Sequence, residues 1–254
     1  MHCVAFIPAR MGSTRFPGKP LADIHGLPML VHVALRTRLS QRLDDTVVAT
    51  CDACIAEACS RYGIQSIMTS PAHERCSDRV AEAMLAYEHN TGRTVDIALM
   101  VQGDEPMVTP SMIDAALAPF AESTVRVVNL MAALPSVQAF EDPNEVKVVL
   151  DKAGNALYFS REPVPSRKKG ASSVPMLKQV CVIPFRREAL LQFTHLPEGE
   201  LEKAESIDML RFLEHGQPVR MVLVQEESLS VDTPDDLEKV RSLMQHDSLR
   251  LRYA

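Results

Sequence analysis

Cys3-Val4-Ala5-Phe6-Ile7-Pro8-Ala9-Arg10-Met11-Gly12-Ser13-Thr14-Arg15-Phe16-Pro17-Gly18-Lys19-Pro20-Leu21 runs an apolar stretch straight into a polar loop. Cys3–Ala9 has the composition of a buried strand, and the loop after it is rich in Gly, Pro and basic residues. A loop in that position lies at the carboxyl edge of the sheet, where open α/β folds bind ligands. Arg10, Arg15 and Lys19 place three cations within ten residues, and Gly12 and Gly18 let the backbone approach a ligand closely. Such a surface suits a nucleoside triphosphate, whose negative charges need cationic partners. The spacing is not that of a Walker loop: five residues separate the two glycines, and Pro20 follows the lysine where Ser or Thr would stand. A G-x-G-x-x-G fingerprint is also missing. A solvated basic loop is the plainer alternative, and the strand position with the glycines favours phosphate.

Outward from this stretch, apolar runs alternate with helical spacings. Strands are expected at 46–50, 64–68 and 95–101, and helices at 28–39, 52–62, 77–88 and 110–121. In the first of these helices Leu27, Leu30, Val31 and Ala34 share a face, which points His32 and Arg36 away from the core. Strands joined through helices of about ten residues make βαβ crossovers and a parallel sheet covered on both faces. The second half is less regular, with strands at 125–134, 146–150, 156–160, 178–185 and 219–225 and helices at 200–214 and 233–244. The last helix has a marked start, with Thr233 as N-cap, Pro234 at the first helical position and Asp236 three residues after the cap. No repeat or long linker divides 1–254, so one α/β domain with a mixed, mostly parallel sheet is expected.

Composition narrows the function. The 254 residues carry 27 Lys and Arg against 33 Asp and Glu, a net charge of −6, which opposes nonspecific nucleic-acid binding. Eight Phe, four Tyr and no Trp offer little for base stacking. Apolar runs fall far short of the roughly 20 residues that span a bilayer, so no membrane partner is expected. The N-terminus lacks the basic region and cleavage pattern of a signal peptide, and the six cysteines read as cytoplasmic thiols. Cys51 and Cys54 form a C-x-x-C with Cys59 beyond, the rival sign of a redox or zinc site. On a helix Cys54 and Cys59 diverge by about 140°, so packed thiols are the simpler account. His25, His32 and His73 are unclustered and read as structural.

Two further stretches place carboxylates at strand ends: Val101-Gln102-Gly103-Asp104-Glu105-Pro106 and Val231-Asp232-Thr233-Pro234. Taken alone, Asp104 reads as a turn residue and Asp232 as a helix cap. Beside a triphosphate on one sheet edge, the pair would hold Mg2+, which uses one or two carboxylates with phosphate oxygens and water.

These residues carry a resemblance. IPAR-GSTR-PGKPL at 7–21, MTS at 68–70, VQGDEPM at 101–107, DPNEVKVVLD at 142–151, ALYFSR at 156–161 and VDTPDDLEKV at 231–240 extend in order over nearly the whole chain. They are similar to those of the 3-deoxy-manno-octulosonate (Kdo) cytidylyltransferase family. The resemblance implies a Rossmann-like nucleotidyltransferase fold, usually a homodimer, that transfers CMP from CTP to an acidic sugar with Mg2+ and releases pyrophosphate. It implies that Arg10, Ser13, Arg15 and Lys19 hold the triphosphate, with Pro8, Ala9, Gly12, Gln102 and Gly103 beside the nucleotide. Ser77 and Arg79 would lie on its cytosine side, and Asp104 and Asp232 would bind magnesium. Arg161, with Gln179, Glu205 and Asp208, would face the acceptor, and the elaboration around 125–215 would serve acceptor binding and dimerisation.

Departures gather where substrates are told apart. The cytosine-side loop of the family usually reads His-Gln-Ser-Gly-Thr-Glu-Arg; here it is His73-Glu74-Arg75-Cys76-Ser77-Asp78-Arg79. The sugar-side stretch usually resembles Lys-His-Leu-Gly-Ile-Tyr-Gly-Tyr; here it is Lys178-Gln179-Val180-Cys181-Val182-Ile183-Pro184-Phe185, and Met209 replaces a usual Gln. Lost hydrogen-bond partners imply an acceptor other than ordinary Kdo. Ser166-Arg167-Lys168-Lys169-Gly170 reads as a solvated loop or, folded over the site, as a mark of a more anionic acceptor such as a phosphonate. Tyr158 and Phe159 read as sheet core, and Glu202, Glu205 and Asp208 as mostly a solvated helix face.

Overall fold

A computed structural model describes residues 1–13, 15–168, 173–226 and 228–253. Thr14, Lys169 and Gly170, named above, lie outside them. In chain order the first half runs β1 (Cys3–Ala9), the short hairpin β2 (Asp23–Ile24) and β3 (Leu27–Pro28), α1 (Met29–Thr37), β4 (Asp45–Thr50), α2 (Ala53–Arg61), β5 (Gln65–Met68), α3 (Cys76–Thr91), β6 (Ile97–Val101) and α4 (Pro110–Leu117). The second half runs β7 (Val128–Ala133), α5 (Val137–Glu141), β8 (Lys147–Leu150), β9 (Ala156–Ser160), β10 (Leu177–Val180), β11 (Val182–Arg186), α6 (Arg187–His195), α7 (Glu200–Glu205), α8 (Met209–Glu214), β12 (Arg220–Val224) and α9 (Pro234–Met244).

Every residue of β1 is buried, and the strand lies at the centre of a five-stranded sheet ordered β11-β6-β1-β4-β5. β4 and β6 flank it in parallel, β5 continues in parallel beyond β4, and β11 closes the other edge antiparallel to β6. The chain leaves β1 to one side and later returns to the other. That reversal opens a crevice at the carboxyl ends of β1 and β6, where the loops after both strands meet. Pro184 sits in β11 at the sheet's edge, where a missing N–H is tolerated.

The expected mostly parallel central sheet is present, and the less regular second half adds another sheet beside it. β12-β7-β10-β8-β9 form a second five-stranded, mostly antiparallel sheet, bridged to the first between Val127 and Phe185. The apolar run 178–185 is two strands: β10 belongs to the second sheet and β11 to the first, with Cys181 between them. Composition gives no mark there, because no glycine or other turn-forming residue separates the two strands. The expected helix 200–214 is also two, broken at Ser206, whose φ of +55° lies in the left-handed region. α5 and α6, together with the β2–β3 hairpin, lie where no element was expected.

α1 buries more than its apolar face. His32 and Arg36, expected to point outward, are 0% and 2% exposed. His32 Nε2 donates to Ile24 O (2.7 Å) and Nδ1 accepts from the Tyr253 hydroxyl (3.0 Å). Arg36 donates to Val108 O (2.7 Å) and Met107 O (3.3 Å) and pairs with Asp247. The chain's last residues therefore cover what would have been a solvated face. Cys54 is exposed and Cys59 buried in the core, as their divergence on α2 requires. Phe159 is buried, whereas Tyr158 is only partly so.

Candidate active site

The loop after β1 is braced from several sides. Met11 N donates to Asp52 Oδ2 (2.8 Å), Ser13 N to Met11 O (2.9 Å) and Phe16 N to Ser13 Oγ (3.3 Å). Gly18 takes φ +76°, a conformation most side chains resist, and turns the chain into a 3-10 turn at Lys19–Leu21. Lys19 is thereby carried to the crevice, with Nζ 2.7 Å from Asp104 Oδ2 and 3.4 Å from Asp232 Oδ1. Arg15 Nη2 donates to the same Asp232 oxygen (2.9 Å) and Nη1 to Asn144 Oδ1 (2.7 Å). Burial works to lower the Lys19 pKa, but the Asp104 carboxylate, followed by Asp232, outweighs it and leaves the ammonium raised.

Two clefts adjoin here. The first is lined by Pro8, Ala9, Arg10, Gly12, Ser13 and Lys19, facing Gln102 and Gly103. The second includes Glu105, Asn144, Arg161, Lys178 and Gln179, with Ile183 and Met209 among its apolar lining. Arg15, Gln102, Asp104, Ser206 and Asp208 line both. Gly103 is required for that closeness, since a Cβ there would stand 2.9 Å from Pro8 O and 3.1 Å from Leu30 Cδ1.

The second cleft has a charged floor that composition does not announce. Glu105 is 4% exposed and accepts from Ser228 Oγ (2.8 Å) and Cys181 N (3.4 Å). Burial, and then the neighbouring Asp104 charge, push its carboxyl up to about 7. Lys178 donates to Ser228 O (2.9 Å) and pairs with Glu145 (3.1 Å). Arg161 is anchored through Nε to Glu205 O (2.7 Å) and through Nη1 to Pro143 O (3.0 Å). Buried Lys147 braces the same region, donating to Asp142 O (2.8 Å) and Arg161 O (2.5 Å). Gln179 donates to Asn129 Oδ1 (2.6 Å).

Asp104 and Asp232 converge on one cation while remaining 22% and 19% exposed. This donor set fits Mg2+: two hard oxygens approached from the open side, with positions left for phosphate and water. Among the described residues no three His, Cys, Asp or Glu side chains gather into a metal cage.

A sequence profile of the cytidylyltransferases matches residues 4–246. A 3-deoxy-manno-octulosonate cytidylyltransferase from Geobacter sulfurreducens is 43% identical over 94% of this chain and 98% of its own. One from Nitratidesulfovibrio vulgaris is 41% identical over 96% of this chain and 97% of its own. The chain belongs to the 3-deoxy-manno-octulosonate cytidylyltransferase family. A solved CMP:2-keto-3-deoxy-manno-octonic acid synthetase complexed with CTP superposes with a TM-score of 0.87 at 38% identity, covering 96% of this chain and 99% of that one. The chain is thus a nucleotidyltransferase, a mixed α/β enzyme whose first sheet is mostly parallel.

In this cytidylyltransferase the expected site residues divide. Those from the loop after β1, with Gln102, Gly103 and Asp104, line the first cleft, while Asp232, Arg161, Gln179 and Asp208 line the second. Ser77 is fully buried, and its hydroxyl donates to Asp208 Oδ2 (3.0 Å) rather than lining either cleft. Arg79 borders a small pocket beside Arg10, but its guanidinium is engaged by Thr69 Oγ1 (2.5 Å), Ser70 O (3.3 Å) and His73 O (3.2 Å). Glu205 lines neither cleft; its carboxylate accepts from Arg161 N (2.8 Å), Ser160 Oγ (2.9 Å) and Tyr158 OH (3.2 Å). The expected solvated face of Glu202, Glu205 and Asp208 is corrected: Glu202 is 0% exposed against Arg211, and the other two are held by protein donors. Ser166, Arg167 and Lys168 are exposed. Glu105, Glu145 and Asn144 were missed as site residues, although each lies inside a quoted motif. Among the described residues no helix is long and apolar enough to cross a membrane.

Proposed function

We propose that the protein transfers CMP from CTP to an oxygen of an acidic acceptor in a Mg2+-dependent reaction that releases pyrophosphate. The observation that carries this reading is the shared wall: Asp104 and Arg15 belong to both clefts, and both carboxylates meet Lys19 at the junction. CTP in the first cleft would have its phosphates against Arg10, Ser13, Arg15 and Lys19. The acceptor would enter the second cleft with its acid group toward Arg161. Its oxygen attacks the α-phosphorus, a hydroxyl giving its proton up to solvent, while the bond to the β-phosphate oxygen breaks and that oxygen leaves with the pyrophosphate. Lys19 and Arg15 stabilise charge that grows on the departing phosphates, and the fixed clefts supply alignment. Mg2+ held by Asp104 and Asp232 would help neutralise the same charge.

The acceptor we favour is an acid with fewer hydroxyls than Kdo. Ile183 and Met209 turn apolar groups into the second cleft, and Gln179 is tied to Asn129. A small phosphonate fits the same reasoning. The homodimer and the role of 125–215 in it rest on the resemblance, and the cytoplasmic setting on the reading of the six cysteines as thiols. A matrix of nucleoside triphosphates against Kdo, other sugar acids and small phosphonates, reading pyrophosphate, tests the reading. Release is expected with CTP, and kcat/KM for Kdo is expected at least about tenfold below that of the best acid, roughly one lost buried hydrogen bond. Kdo as the best acceptor would remove the specificity claim. CTP binding without turnover on any acid would leave a nucleotide-binding protein.

A further inference from the structure

Arg75 belongs to the loop that the resemblance places on the nucleotide side, and it borders the first cleft. Its guanidinium nevertheless turns across the mouth of the first cleft toward the break between α7 and α8. Nε and Nη2 both donate to Glu198 Oε1 (3.1 and 2.6 Å), and Nη1 donates to Ser206 Oγ (3.3 Å). Glu202 and Asp208 lie 3.6 and 3.8 Å away, and the side chain is only 20% exposed. In the first turn of α3, Ser77 holds Asp208 through its hydroxyl (3.0 Å) and its backbone N–H (3.4 Å).

The segment so gripped is strained and shared. Ser206 sits at φ +55°, a conformation that persists in a serine only when its surroundings over-determine it. Ser206 and Asp208 line both clefts. Glu205, the residue before, holds Arg161 at two points, its carboxylate accepting from Arg161 N (2.8 Å) and its carbonyl from Arg161 Nε (2.7 Å). An unbroken series of contacts therefore runs from the nucleotide-side loop through the strained serine to the arginine of the second cleft.

We infer that Arg75 is a positioning residue that sets Arg161 for the acceptor by clamping the Ser206 junction, and so ties the geometry of the second cleft to the nucleotide-side loop. The inference rests on the reading of the second cleft as the acceptor site. Arg75→Ala, Glu198→Gln and the double variant test it through CTP affinity, measured by calorimetry without acceptor, and through steady-state constants for the best acid at saturating CTP. Arg75→Ala is expected to raise the acceptor KM about tenfold, with kcat lowered less than about threefold and CTP Kd changed less than about twofold. Glu198→Gln should move the same constant in the same direction, and the double variant should be no worse than Arg75→Ala, because the two residues act as one clamp. A weakened CTP Kd with an unchanged acceptor KM would make Arg75 a direct nucleotide contact and overturn the inference, as would unchanged constants. Amide exchange is read in parallel on protein free of ligand. Faster exchange at Arg161 N–H in Arg75→Ala, with α3 unchanged, supports the relay, and unchanged exchange there overturns it. This second readout stands even if wild-type protein turns over no acid, an outcome that would instead remove the functional reading.

Discussion

Lys19 holds its ammonium between two carboxylates that would otherwise repel each other, and this one residue joins the loop after β1 to the loops after β6 and β12. Removing either charge would weaken the proposed Mg2+ site, while Asn keeps the shape of the side chain. Asp104→Asn and Asp232→Asn are each expected to lower kcat about 100-fold or more, on the order of 2.7 kcal/mol of lost transition-state stabilisation, with Tm nearly unchanged. Turnover measured against Mg2+ concentration checks this, and near-normal activity of both variants at limiting Mg2+ would take the metal role from them. Both aspartates and the cations were legible as residues, since each follows a strand in the sequence. Their distances were not, because β12 comes more than a hundred residues after β6.

Between α7 and α8, a buried ion pair bridges the Ser206 break. Arg211 donates to both Glu202 oxygens at 2.7 Å each and stacks on Phe193, 4.1 Å from the ring centroid. Glu202 is 0% exposed, so removing Arg211 leaves a buried charge with only the longer Arg75 contact at 3.6 Å to offset it. Arg211→Met is expected to cost about 3–5 kcal/mol in urea unfolding, and adding Glu202→Leu to recover most of that, because the pair also carries a desolvation cost. No recovery in the double variant would show that packing on Phe193, rather than the charge, is what was lost. Helical spacing across 200–214 is continuous in the sequence, which is why the break was unexpected. A left-handed serine leaves no mark in composition when contacts from another helix hold it there.

Across the whole molecule, the chain's end is clamped to its beginning. Tyr253 and Asp247 cap His32 and Arg36 on α1, and Arg36 in turn holds the carbonyls of Met107 and Val108 in the loop after β6. Burial keeps the His32 imidazole below its ordinary pKa, against the pull of the Ile24 carbonyl and with help from the Arg36 charge. The folded protein thus binds this proton less readily than the unfolded chain. The His32 contribution is complete above about pH 6.5 and is lost as pH falls toward the depressed folded value. Urea unfolding from pH 8 to 5 should show the stability gap between wild type and His32→Gln narrowing on acidification, and a constant gap would contradict the clamp. Tyr253→Phe at pH 8 should cost about 1 kcal/mol by leaving Nδ1 without its donor.

The parallel half of the fold and the cationic loop were legible from local residue patterns, because buried strands, helix spacings and capping residues are local properties. The sequence marked the N-terminal capping box of α9, which the structure forms between Thr233 and Asp236. It also carried the family, through motifs that run in order over nearly the whole chain. Long-range packing alone divides 178–185 between two sheets and buries Arg36. Those outcomes depend on partners distant in the chain: Asp247 reaches Arg36, and β6 and β7 claim adjoining strands for different sheets. A side chain's exposure is set by what packs over it, and neither its own residue type nor its neighbours in sequence carry that information.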